Sequence, residues 1–259
     1  MAFTGSTAAG RRIGAICGEQ LKRCSLELGG KSAAIVLDDA DLHTLVPGLK
    51  FASLMNNGQA CVAQSRVLVS RNRYDEVVDA LAGMVRDLVV GDPGDPATDV
   101  GPLVAERQQE RVEKYIVLGQ EEGARVVVGG NGRPAGTEKG WYVQPTLFAG
   151  VDNGMRIAQE EIFGPVVAVI PYDDEADAIR IANDSEYGLA GSVWTADVDH
   201  GVDVARQVRT GTYGINQYTM DFNAPFGGFK ASGLGREFGP EGLEGYLELQ
   251  TICPPVVYG

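Results

Sequence analysis

The sequence predicts an α/β fold: an open, mostly parallel twisted sheet with helices on both faces. Short apolar runs of strand length alternate with longer segments of helical period. Alternating strands and helices favour a parallel sheet, because each crossover returns the chain to the same edge direction. Composition permits a large core: 44% of the 259 residues are hydrophobic and 22% are charged. That is enough for one large domain or two smaller ones.

The chain opens on MAFTGSTAAGRRIG, a turn and then a helix with Gly5, Ser6 and Thr7 at its N-terminus. LELGGKS (residues 26–32) holds two glycines that permit a tight turn, and it leads into SAAIVL (32–37), a buried strand. Residues 41–56 space Leu42, Leu45, Val46, Leu49 and Leu54 as a helix, and Pro47 is expected in its first turn. RVLVS (66–70) reads as a strand, and residues 74–90 as a helix ended by the loop GDPGDPATDVGP. A charged amphipathic helix over 105–123 precedes a strand over 124–130, a loop over 130–140 and a short strand near 143–148. The alternation resumes with a strand (165–172), a helix (174–184), a strand (188–195), a helix (199–209) and a strand (212–216). A glycine-rich loop follows (223–239), and GYLELQTICPPVVY (245–258) reads as a helix turn and a terminal strand. A terminal strand can extend a neighbour's sheet edge, so a homo-oligomer is expected through it. No internal repeat, linker or low-complexity tract interrupts the pattern.

Several function classes are disfavoured. No apolar run approaches the ~18 residues of a membrane span, and the arginines of MAFTGSTAAGRR follow its apolar residues, unlike a signal peptide. The net charge of -13 repels nucleic acid, so phosphate binding needs a locally positive site. Cys17, Cys24, Cys61 and Cys253 form no CxxC pair. No disulfide framework or metal site is expected, and a reducing, cytoplasmic setting is. The only histidines, His43 and His200, lie in helical segments and read as surface residues. A base serving Cys61 is therefore expected to be a carboxylate.

Four stretches carry possible chemistry. In LELGGKS, Glu27 reads as a general base near a reacting carbon, or as a loop glutamate before a flexible turn. In GQACVAQSR, Cys61 reads as a nucleophile whose own backbone N–H could steady an oxyanion, or as a small buried hydrophobe. In QEEIFGPV, an acid can bind ribose hydroxyls and Phe163 can pack on a flat ring, or the acids are solvated and the ring is core. In FTGSTAAG, the helix start suits a phosphate through free N–H groups, or Ser6 is only a cap.

Together these stretches, in order with NDSEYGLAGSVWT and PFGGFKASGLGRE, resemble the aldehyde dehydrogenase superfamily. The resemblance covers essentially the whole sequence but roughly the C-terminal half of a family chain. It implies a fold like the family's catalytic domain, NAD or NADP as cofactor and a small aldehyde as substrate. It also implies roles: Cys61 as nucleophile, Glu27 as general base and Glu237 as a second carboxylate used in proton relay by some members. Glu161 would meet the nicotinamide ribose with Phe163 beside it, Gly5 and Ser6 would lie at the pyrophosphate, Leu28 would join the cofactor site and Phe226 would line the substrate tunnel.

The implied division is a remnant of the dinucleotide-binding domain (1–29), a thiol-bearing catalytic domain (30–232) and a C-terminal oligomerisation segment (233–259). The family's adenosine-binding strands and an oxyanion asparagine have no counterpart in this sequence. Turnover is thus expected to need the missing half, and residues 1–29 to form a sheet edge that is exposed or covered by another chain. A cofactor-free cysteine esterase or thioesterase, or a non-catalytic partner of intact subunits, are the alternatives.

Overall fold

A computed structural model describes residues 1–255. Its elements begin with β1 (Ala2–Thr4), α1 (Thr7–Glu19), β2 (Ser25–Glu27), β3 (Ala33–Val36), α2 (Leu42–Leu54), β4 (Arg66–Ser70) and α3 (Tyr74–Arg86). They continue with α4 (Glu106–Glu121), β5 (Arg125–Val128), β6 (Thr146–Ala149), α5 (Arg156–Gln159), β7 (Val166–Tyr172) and α6 (Glu175–Asn183). The last are β8 (Tyr187–Gly188), β9 (Ala190–Trp194), α7 (Val198–Gln207), β10 (Thr212–Ile215), β11 (Phe229–Lys230), β12 (Gly233–Leu234) and α8 (Gly239–Glu244).

Seven strands form the main sheet in the order β10-β9-β3-β4-β7-β6-β5, all parallel to their neighbours except β5, which runs antiparallel to β6. Side chains alternate across it, as strand geometry requires. Ala34, Val36, Val67, Val69, Val167 and Val169 face Leu45 and Leu49 of α2 and Val77 and Leu81 of α3. Ala33, Ile35, Leu68, Ala168 and Ile170 face Val112 and Ile116 of α4, Ile181 of α6 and Val204 of α7. The expected open, mostly parallel sheet covered on both faces is what the chain forms.

A second, three-stranded sheet has the order β1-β2-β12, with β1 parallel and β12 antiparallel to β2. Residues 1–29 are therefore paired on one side by the glycine-rich loop, and the outer edge of β1 has no partner among the described residues. α1 buries Cys17 and presses Gly10 on Leu28, while Ile16 and Leu21 stay exposed.

Some boundaries differ from expectation. Pro47 lies in the second turn of α2, not the first. The helix survives the missing N–H because Asp41 caps His43 and Thr44 and because Leu45 and Leu49 are fully buried. α3 ends at Arg86, and the following residues fold back so that Val90 bridges Val100. The helix turn expected at 245 is α8, ending at Glu244, and residues 246–255 form no strand. The rest of that expected strand, 256–258, lies outside the described residues.

Candidate active site

Cys61 sits on a turn whose approach is bent by sequence. After α2, Asn56 and Asn57 take left-handed φ angles of 50° and 60°, a region asparagine tolerates better than most residues. Their amides brace the bend: Asn56 donates to the Gln59 carbonyl at 3.0 Å, and Asn57 donates to the Pro102 carbonyl at 3.2 Å. Gly58 follows at φ 71°, where a Cβ would stand 2.2 Å from the Gly164 carbonyl oxygen. The Ala63 N–H donates to the Ala60 carbonyl at 3.0 Å, closing a turn with Cys61 at its second position. Beyond it, Gln64 is locked in the core, accepting from the Ser192 hydroxyl at 2.6 Å.

Glu27 ends β2. Its backbone carbonyl accepts from the Gly5 N–H at 3.0 Å. Its carboxyl is almost wholly buried with neither oxygen hydrogen-bonded. Burial, and then the nearby Glu237, push its pKa up to about 8, with Arg236 pulling the other way. Glu237 arrives through a backbone bridge to Phe226, with paired hydrogen bonds of 2.7 Å each way.

Glu161 comes from the loop after α5. Its Oε1 accepts from the Gly30 N–H at 3.0 Å, and a Cβ at Gly29 would lie 2.5 Å from its Oε2. Burial raises its pKa, against the Gly30 N–H, Lys31 and Arg111. Phe163 holds a left-handed φ of 64°. The loop is clamped from α4: Gln108 donates to the Ile162 and Phe163 carbonyls at 3.1 and 2.7 Å, and Arg111 donates to the Glu161 and Ile162 carbonyls.

One cleft of about 690 Å³ gathers these groups. Gly5, Ser6, Glu27, Leu28, Cys61, Glu161, Phe163, Phe226 and Glu237 all line it. Gln108 and Arg111 line it too, and sequence reasoning missed both. Their only signal was a polar pair three residues apart on a charged helix, which looks like a solvated face. The histidines are elsewhere: His200 meets Glu175 at 2.5 Å on the surface, and His43 is exposed on α2.

Burial, then Glu161 and Glu27, push the Cys61 thiol up to about 11, while the backbone N–H groups of Cys61 and Val62 favour the thiolate. At neutral pH the cleft thus holds a protonated thiol and a mostly protonated buried carboxyl. Proton transfer between them, or to a third group, is therefore part of any nucleophilic step.

The sequence profile described as the aldehyde dehydrogenase family matches residues 1–252. The chain belongs to the aldehyde dehydrogenase family. Geranial dehydrogenase of Castellaniella defragrans is 56% identical over 252 residues, covering 97% of this chain and 52% of that protein. A 3-succinoylsemialdehyde-pyridine dehydrogenase of Pseudomonas is 47% identical, with 97% of this chain and 53% of that one covered. Among solved structures, a Mycobacterium tuberculosis aldehyde dehydrogenase complexed with NAD+ superposes with a TM-score of 0.97 at 58% identity, covering 100% of this chain and 53% of its own. A mutant of aldehyde dehydrogenase C from Pseudomonas syringae, complexed with NAD+ and octanal, superposes at 0.93 with 44% identity, covering 95% and 51%. The chain thus spans about half the length of the curated relatives it matches.

Proposed function

We propose that the protein to which this chain contributes oxidises an aldehyde to a carboxylic acid with NAD or NADP as acceptor, using Cys61 and Glu27. One observation carries the reading: the thiol on the turn after α2 and the carboxyl ending β2 open into the same cleft. The cleft's residues suit the nicotinamide and pyrophosphate part of a dinucleotide. Gly5 and Ser6 offer the N-terminus of α1, where free N–H groups favour phosphate. The Glu161 carboxylate is seated beside Gly29 and Gly30, as a partner for ribose hydroxyls, with Phe163 on the same wall. When bound, the dinucleotide supplies the two-electron acceptor for hydride.

The chain's own groups do the rest. Cys61 passes its proton to ionised Glu27, which hands it on towards Glu237 and solvent, and the Cys61 Sγ attacks the carbonyl carbon, forming a C–S bond and placing the carbonyl electron pair on oxygen. The backbone N–H of Cys61 is the donor suited to that oxygen. After oxidation the acyl group is a thioester on Cys61. Ionised Glu27 takes a proton from water, whose oxygen attacks the thioester carbon. The C–S bond then breaks, and the acid leaves the thiolate behind. Glu237, close enough to raise the pKa of Glu27, is the next holder for that proton. The same reading makes the protein cytoplasmic, which cell fractionation checks, and a homo-oligomer, which sedimentation of the purified protein checks.

The test mixes the chain with an aldehyde and NAD, with and without a separately produced N-terminal half of a family member. With NAD and with NADP tried in turn, the reduced dinucleotide should appear with both halves and vanish in Cys61→Ala. No NADH and no NADPH from any mixture of folded protein defeats the reading. Thiol, carboxyl and cleft all lie within this chain, which favours a cofactor-free esterase as the second reading. Nitrophenol release from nitrophenyl acetate at the same rate by the parent chain and Cys61→Ala rules that out.

A further inference from the structure

The surroundings of the thiol differ from the rest of the cleft. Met55, Val62, Met220, Phe226 and Phe238 share one apolar cluster and the cleft wall with Cys61. The one cation among the cleft's lining residues is Arg111, and its guanidinium is committed to the Glu161 and Ile162 carbonyls. Three acids, Glu27, Glu161 and Glu237, line the same space. A carboxylate carried into it would shed water among apolar side chains and acids, and the one cation there is already tied to backbone carbonyls.

Phe238 is the unusual member of the group. Its backbone sits at φ 59° and ψ 170°, a region that glycine occupies almost alone. It is held there on both sides: Glu237 is bridged to Phe226, and the Phe238 carbonyl accepts from the Gly242 N–H at 2.9 Å. Its ring stands edge-on to Phe222, centroids 5.1 Å apart, and tilted against Phe226 at 6.0 Å. A glycine would take this backbone without strain but would leave no ring between those two. The strained position is thus the one that completes the aromatic wall.

We infer that this end of the cleft selects uncharged aliphatic aldehydes over carboxylate-bearing ones, and that Phe238 is the wall that sets the preference. The inference rests on Cys61 being the aldehyde-binding thiol. Two unbranched methionines can repack around straight or branched chains, so the selection is by polarity and length rather than by one shape.

The test is protection of Cys61 from iodoacetamide in the 259-residue chain, read by mass spectrometry of the Cys61 peptide, with butanal, octanal and 8-oxooctanoate. Each buried methylene strengthens binding by roughly fourfold at most. Octanal should therefore half-protect at a concentration at least about tenfold below butanal, and at least about tenfold below 8-oxooctanoate. Phe238→Gly should shrink both ratios to less than about threefold, and Phe238→Leu, which keeps an apolar wall, should retain most of each. Thermal melting confirms that the variants fold. Equal protection by octanal and 8-oxooctanoate, better protection by a trimethylammonium aldehyde, or unchanged ratios in Phe238→Gly overturns the selectivity while leaving Cys61 as the aldehyde-binding thiol. Protection by no aldehyde overturns both.

Discussion

A carboxyl group that stays protonated to about pH 8 is half-suited to being a base at neutral pH, and Glu27 is such a group. Its stability linkage has a definite sign. The unfolded chain releases this proton near the ordinary value of 4.5, whereas the folded chain holds it to about 8. The native state's advantage from protonated Glu27 is therefore full below 4.5, falls as pH rises, and is gone above about 8. Glu27→Gln lacks that loss. Its melting temperature relative to the parent should climb between those limits by roughly 2 °C or more and then level off. Calorimetry across the range checks this, and a difference that does not change with pH contradicts it. Cys61 gives a second expectation. After burial, Glu161 contributes most to holding the thiol protonated. Glu161→Gln should speed iodoacetamide labelling of Cys61 near pH 8.5 by roughly three- to tenfold. A slower or unchanged rate would mean that the charge of Glu161 does not reach the sulfur.

At the scale of elements, close backbone approach decides where the thiol turn sits. A Cβ on Gly30 would stand 2.2 Å from the Cys61 carbonyl oxygen, so the link from β2 to β3 and the thiol turn touch at a point with no spare room. Backbone cannot swing aside as a side chain can. Gly30→Ala should destabilise by about 1–3 kcal/mol in urea and alter Cys61 labelling. Gly83, inside α3, meets nothing within 4 Å. Gly83→Ala should stabilise by about 0.5–1 kcal/mol by limiting the unfolded chain and favouring helix. Opposite signs from the same chemical change are the check. Two destabilisations of equal size would remove the argument from contact.

Across the whole molecule, Arg66 joins parts that the chain keeps far apart. It starts β4 and is fully buried, donating to the Lys31 carbonyl at 3.0 Å, the Asn153 side chain at 2.9 Å and the Ile181 and Ala182 carbonyls at 3.0 and 3.1 Å. The last two belong to the C-terminal end of α6, where a cation also meets the negative end of the helix dipole. Arg66→Leu would leave four buried acceptors short of a donor. It should cost about 3 kcal/mol or more and lower the melting temperature by roughly 6–12 °C. Because the guanidinium bonds to neutral oxygens, salt should change this loss little. A loss under about 1 kcal/mol would mean that water or nearby side chains replace the bonds.

The sequence by itself determined the strands and helices of the main sheet, because apolar spacing is local. Ile35, Leu68 and Ile170 already alternate with Val36, Val67 and Val169 along their own strands. It also marked Cys61, Glu27 and Glu161, but only through their resemblance to a family's ordered motifs. Taken singly, each stretch kept a plain structural alternative. The two-residue strands β8, β11 and β12 were not legible, since pairing so short has no period to read. Pro47 inside α2 was not either, because tertiary burial of Leu45 and Leu49 outweighed a local rule. Gln108 and Arg111 looked like a solvated helix face until the loop they clamp came to rest on it. Only the tertiary structure decided that the end of β2, the turn after α2 and the loop after α5 open into one space. Convergence of that kind is set by strand order and by backbone contacts between distant segments, and no local spacing encodes it.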